Sequence, residues 1–191
     1  MERKQTAYVI LGLLAIEPNL SGYEMRRTVK DSVGFFWAES YGQIYPTLRR
    51  LAAEGLIAEQ PSASDGRRRR RGYSLTPAGR ACLEEWLGRP YRNERPRDEF
   101  LLKLFFGRDA APTVVIAHVR RFQEQQRQLL ATLADLEKRA RATPNVQRPG
   151  FPFWMLTLSY GVGQLRAGIE WSESALAALA SIETRNENSH N

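Results

Sequence analysis

Ser40 to Ile57, SYGQIYPTLRRLAAEGLI, reads as one helix with both of its ends written into it. Ser40 and Gln43 stand in the S-x-x-Q spacing of a capping box: the hydroxyl accepts from an orphan first-turn amide and the glutamine reaches back. Gly55 stands where the chain must leave the helix, and glycine takes the left-handed conformation needed there. Ile44, Leu48, Leu51 and Ala52 fall on one side at helical spacing. The opposite side carries Gly42, Pro46, Arg49, Arg50 and Ala53, with Gln43 and Thr47 on one flank and Tyr45 on the other. A helix entering a DNA major groove wants this arrangement. Small residues allow close approach, amides and hydroxyls read base edges, and arginines reach guanines or phosphates. Pro46 lacks an amide hydrogen, so the early part of the helix is expected to bend or open locally. Taken alone, the stretch is equally compatible with an ordinary amphipathic surface helix.

The flanking segments favour the first reading. Thr6 is expected to cap a first helix running to about Ile16, apolar nearly all round and therefore buried. Glu17-Pro18-Asn19-Leu20 breaks it. Ser21 and Glu24 form a second capping box (SGYE) and open a second helix. Met25, Val29 and Val33 line its inside, Arg26, Arg27 and Lys30 its outside, and Gly34 ends it. Phe35, Phe36 and Trp37 make an aromatic link that is mostly core, with Trp37 a candidate for lining a cavity. Beyond the central helix, Leu56 to Gln60 reads as a strand and Pro61 to Gly66 as a turn-rich loop. Five consecutive arginines, Arg67, Arg68, Arg69, Arg70 and Arg71, then run into Gly72-Tyr73-Ser74-Leu75. Alternation places Arg67, Arg69, Arg71, Tyr73 and Leu75 on one side of the return strand. Side by side, five like charges destabilise an isolated fold. Phosphates that neutralise them and release counterions reverse that. The alternative is a basic loop or a crowded solvated face. Thr76-Pro77 starts a fourth helix to about Leu87. Residues 1–88 thus spell helix, helix, helix, hairpin, helix, the order of a winged helix-turn-helix DNA-binding domain.

Gly88, Pro90 and the polar run Tyr91 to Arg97 mark a domain boundary. Residues 98–183 read as helical. Asp98 caps the apolar stretch Phe100 to Phe106, which Gly107 ends. Pro112 opens a helix to about Ala142, ~45 Å long. Its inner positions, Val115, Val119, Phe122, Gln126, Leu129, Leu133, Leu136 and Ala140, alternate steps of four and three as a heptad seam. Such a seam pairs with another helix. The intrachain partner is a last helix, about Phe153 to Glu183, repeating the spacing at Leu158, Val162, Leu165, Ile169, Leu176 and Leu179. Gly161, Gly163 and Gly168 make sense there where a helix or ligand comes close. Residues 184–191 read as frayed. The fold expected is mainly α with a small β-hairpin: an N-terminal winged helix and a C-terminal helical dimerisation region.

Composition narrows the function classes. The net charge of +7 favours anionic partners, nucleic acid first. Residues 1–90 carry 14 Lys/Arg against 10 Asp/Glu and residues 91–191 carry 14 against 11, so local concentration decides where a partner sits. Cys82 is the single cysteine, which fits a reducing cytoplasm. No apolar stretch reaches the ~20 residues that span a bilayer. His118 and His190 are the only histidines, and no metal cluster, phosphate-binding glycine motif or nucleophile–base pair is present, so neither an enzyme nor a cofactor is expected. The competing class is a helical adaptor whose winged helix binds protein. Salt separates the two, because neutralising several phosphates makes binding steeply salt-dependent.

YVILGLL in the first helix, SGYEM in the second, GQIYPTLRRLAAEGLI in the third and GYSLTPAG at the hairpin's end together resemble the PadR family of bacterial transcription regulators. DEFLLKLFF and WMLTLSYGVGQLRAGIEW resemble its subgroup with a two-helix C-terminal region, the Vir-type arrangement. The resemblance implies a repressor that reads an inverted repeat in double-stranded DNA as a homodimer joined through its C-terminal helices. By similarity Gln43, Tyr45, Pro46 and Thr47 face DNA and Arg67 to Arg71 lie on the wing; the arginine run is longer than the family leads one to expect. The face of the central helix adds Arg49 and Arg50, and strand alternation adds Tyr73. Some members of the family release DNA when aromatic molecules bind, which makes Trp37, Trp154 and Trp171 candidate ligand residues.

Overall fold

The first helix has no polar face to give to water, and the rest of the N-terminal half is built around it. In the computed structural model, which describes residues 4–31, 34, 41–61, 71–91, 97–142 and 147–188, α1 spans Gln5–Ile16. Its Ala7, Tyr8, Ile10, Leu11, Leu13 and Leu14 are all buried. Each large aliphatic side chain taken fully out of water contributes about 1.5–3 kcal/mol. Thr6 does not cap this helix. Lys4 holds the cap position without a side-chain bond, and Thr6 is buried one residue inside the helix start.

The turn after α1 leads into β1 (Leu20–Ser21) and α2 (Gly22–Asp31). The expected capping box is formed. The Glu24 carboxylate accepts from the Ser21 amide at 2.8 Å and from its hydroxyl at 2.6 Å, and the Glu24 amide donates back to Ser21 Oγ at 3.3 Å. The Gly34 amide donates to the Val29 carbonyl at 2.8 Å. Phe35 to Ser40, Trp37 among them, lie outside the described residues, as does Val33.

The central stretch is not one helix throughout. A 3-10 turn, Tyr41–Gln43, precedes α3 (Ile44–Ala53), and Gln43 makes no side-chain capping bond. The early part of the stretch, where a bend or local opening is expected, is this 3-10 turn, and α3 runs unbroken through Pro46. The proline is the third residue of α3, in the first turn, where its missing N–H has no partner to lose. The C-terminal end is as expected. Gly55 has φ 70°, its amide donates to Ala52 at 3.0 Å, and the Leu56 amide donates to Leu51 at 2.9 Å, the paired bonds of a Schellman cap.

The hairpin is present and one strand wider than expected. β2 (Ile57–Pro61) pairs antiparallel with β3 (Arg71–Leu75), Ile57 opposite Leu75 and Glu59 opposite Tyr73. β1 joins β3 on its other edge, Leu20 opposite Tyr73, giving the order β1-β3-β2. Asn19, with φ 67°, donates its amide to the Tyr73 carbonyl at 2.9 Å. α4 (Pro77–Leu87) begins as expected: Thr76 Oγ1 accepts from the Gly79 amide at 3.1 Å, and Pro77 takes the first helical position. Trp86 of α4 stacks on Tyr8 with ring centroids 4.5 Å apart.

The chain divides into two compact units, Met1–Asn93 and Glu94–Asn191. The second is helical among its described residues. α5 (Glu99–Phe105) is capped by Asp98, whose carboxylate accepts from the Leu101 amide at 3.2 Å. α6 (Pro112–Arg141) packs along α7 (Phe151–Asn188). α7 runs further than expected at both ends: Pro152 is its second residue rather than loop, and the helix continues past Glu183. The seam is filled within the chain, with Val115, Val119 and Leu133 of α6 and Leu158 and Leu165 of α7 buried. Leu129 departs from it and is exposed. Ser172, one heptad after Leu165, is 0% exposed, and its hydroxyl donates to the Ile169 carbonyl at 2.6 Å, so a polar residue fills a core position satisfied by its own helix. Gly168 lies close to α6: a Cβ there would meet Phe122 and Gln126 at 3.4 Å, whereas one on Gly163 would meet nothing within 4 Å.

Candidate nucleic-acid interface

α3 buries Ile44, Thr47, Leu48 and Leu51. These are steps of three, four and seven from Ile44, a single helical stripe. Thr47 is therefore removed from the expected reading face. At 4% exposure it is part of the inside of the unit. The outward face carries Gly42, Gln43, Tyr45, Pro46, Arg49, Arg50 and Ala53, all exposed. Arg50 pairs along the helix with Glu54 at 3.9 Å. Tyr45, 53% exposed, lays its ring against the start of α2: a Cβ on Gly22 would come within 2.7 Å of Tyr45 Cε1 and 3.2 Å of Leu48 Cδ1. Glycine there lets the two helices close on each other with the tyrosine between them.

On the wing, Arg71 is exposed and its Nη1 stands 3.6 Å from Glu59 Oε2 on the neighbouring strand. Arg67 to Arg70 lie outside the described residues. Tyr73 is a second correction. It shares a face of β3 with Arg71, as alternation requires, but that face packs on the core, and Tyr73 is 8% exposed among core residues. Burial pushes its phenol above the ordinary tyrosine range and Glu59 adds to this, while Arg71 and, from α3, Arg49 pull the other way. Tyr73 therefore lies on the core side of the wing rather than at its outer surface. Sequence reasoning misses Glu59, because only the cross-strand register brings it beside Arg71.

Of the candidate ligand residues, Trp37 lies outside the described residues, and Trp154 and Trp171 do not converge within the chain. Trp154 and Trp171 stand seventeen residues apart on one continuous helix, about 25 Å. Trp171 meets Phe100 and Phe122 edge-on at 5.8 and 5.7 Å, and those two rings stack at 4.6 Å, tying α5 to α6 and α7. The indole N–H of Trp154 is buried and has no hydrogen-bond partner among the described residues. Among those residues no group of three or more His, Cys, Asp or Glu could hold a metal ion, and no helix is long and apolar enough to cross a membrane.

Residues 10–85 match the Transcriptional regulator PadR-like family, and residues 96–180 match Virulence activator alpha C-term. The chain is 32% identical over 183 residues to the Negative transcriptional regulator PadR of Bacillus subtilis (strain 168), covering 90% of this chain and 96% of that one. The chain belongs to the PadR family of transcriptional regulators. Two crystal structures of the Bacillus subtilis protein superpose well. In complex with operator DNA it matches at 28% identity with a TM-score of 0.81, covering 92% of this chain and 99% of that one. In complex with p-coumaric acid it matches at 29% identity with a TM-score of 0.77, covering 93% and 99%. The PadR-like motif GYSLTPAG has a local physical account in this chain. Gly72 leaves room for Asn19, and Tyr73 enters the core. Thr76 caps α4 while its hydroxyl hydrogen lies within reach of the Gly55 and Leu56 carbonyls, at 2.8 and 2.9 Å, and Pro77 opens the helix. In this PadR-family chain, then, the end of α3, the return strand of the wing and the start of α4 are fastened at one point.

Proposed function

We propose that this chain is a sequence-specific double-stranded-DNA-binding repressor, working in the cytoplasm as a homodimer on an inverted repeat. Residues 1–88 are the DNA-binding domain and residues 98–183 the dimerisation domain. The observation that carries this is the outward half of α3. Gln43, Pro46, Arg49 and Arg50 are exposed on a helix whose other half is buried, in the same unit as a wing that bears Arg71 and continues into four more arginines. The Bacillus subtilis relative, solved with operator DNA, supports the same use of the fold. Gln43 reads a base edge, Arg49 and Arg50 reach guanines or phosphates, and the wing arginines hold the flanking backbone.

Dimerisation is supported by α5, which buries none of its residues within the chain and exposes Leu101, Leu102 and Phe105, with Phe106 following. A contiguous apolar patch of this kind marks an association surface. Release by a small aromatic molecule is supported by the p-coumaric acid complex of the relative and by the buried indole N–H of Trp154, a donor with no hydrogen-bond partner among the described residues. The test is selection of bound fragments from a random duplex library with the purified chain. An enriched inverted repeat is expected. No enrichment at any salt concentration overturns the reading.

A further inference from the structure

Glu59 and Arg71 are the only charged residues in the two long strands of the sheet. Glu59 is opposite Tyr73 in the antiparallel register, and Arg71 stands two residues from Tyr73, so all three side chains share one face. That face is core at Ile57 and Tyr73 and ionic at its outer end, where the carboxylate and guanidinium stand 3.6 Å apart and both are exposed. An exposed pair of this kind adds little to stability, so folding alone does not account for a carboxylate in this place. A carboxylate beside Arg71 also opposes a polyanion. The pair stands next to Tyr73, which is itself core, so it sits where the wing meets the body of the domain.

We propose that Glu59 is an internal competitor for DNA: its carboxylate occupies Arg71 in the free chain, and a backbone phosphate must displace it. The inference rests on the DNA-binding function proposed above. Displacement leaves Glu59 unpaired beside the duplex, a penalty that is the same for every sequence. Glu59 thereby sets the sequence-independent part of the affinity and leaves discrimination to α3.

The test uses the full chain as wild type, Glu59→Gln, Arg71→Gln and the double variant. Each is titrated onto a random-sequence duplex and onto a fragment enriched by selection, at low and moderate salt. Glu59→Gln is expected to tighten binding to both duplexes by the same factor, roughly two- to fivefold, and the gain is expected to vanish in the Arg71→Gln background. Unchanged affinity, a gain confined to one duplex, or a gain that persists without Arg71 overturns the inference alone. Absence of DNA binding by all four proteins overturns the function and the inference together.

Discussion

Gly79 of α4 sits directly against the Leu56 carbonyl, so that a Cβ on the glycine would collide with that oxygen and stand 2.8 Å from Leu75 Cδ1. The carbonyl belongs to the turn that ends α3 and also accepts the Thr76 amide at 3.1 Å, so it cannot move aside freely. Gly79→Ala is therefore expected to destabilise the chain by about 1–3 kcal/mol in chemical denaturation. Gly12→Ala, in a helix with nothing within 4 Å of the added methyl, is expected to stabilise by about 0.5–1 kcal/mol. Equal effects at the two sites would contradict the packing described.

Gln43 is exposed on the outward face of α3. Gln43→Ala is expected to cost about 1–3 kcal/mol of discrimination between the selected repeat and random DNA if the amide pairs with one base in two bonds. Competition titrations on the two duplexes measure it. Equal losses on both would remove Gln43 from base reading.

Thr47 makes the opposite prediction, because it is buried. Thr47→Ala should lower stability by about 1 kcal/mol and leave sequence preference unchanged. Altered preference among selected fragments would return Thr47 to the DNA-facing set.

Replacing Arg67 to Arg71 with glutamine should weaken binding to all sequences alike. It should also flatten the dependence of log affinity on log salt by about 0.9 for each phosphate that is no longer neutralised. An unchanged slope would take the wing out of the binding surface.

Phe105, 81% exposed on α5, belongs to the proposed dimer surface. The wild-type chain should sediment as a dimer at micromolar concentration and Phe105→Glu should shift it toward monomer. A monomeric wild type would sink the two-copy arrangement.

What is legible in the sequence is whatever depends on near neighbours. The Ser21–Glu24 box, the Thr76-Pro77 start, the Asp98 cap and the Gly55 exit each involve groups a few residues apart, and their chemistry is carried by residue type. Misreadings arise where packing overrides polarity. Thr47 reads as outward because it is polar, although its spacing from Ile44 and Leu51 puts it in the buried stripe. Tyr73 aligns with Arg71 by alternation, which holds, but that face of the sheet closes on the core. Pro46 looks disruptive only while the helix is taken to begin earlier than Ile44. β1 is two residues long, too short for a pattern, and is visible only as the partner of β3. Glu59 meets Arg71 across strands, a distance no local spacing encodes.

The Asn19 amide bonded to the Tyr73 carbonyl, with Gly72 leaving room for the asparagine side chain, rivets the turn before the second helix to the strand that emerges from the arginine run. A piece joined this way meets a duplex as a die meets metal. It is expected not to remould itself from one target to the next. In the proposed two-copy arrangement, differences among targets are then expected to fall on the pliancy of the duplex and on the gap between its half-sites, and a change that loosens the rivet is expected to blur the imprint even though it touches no nucleotide.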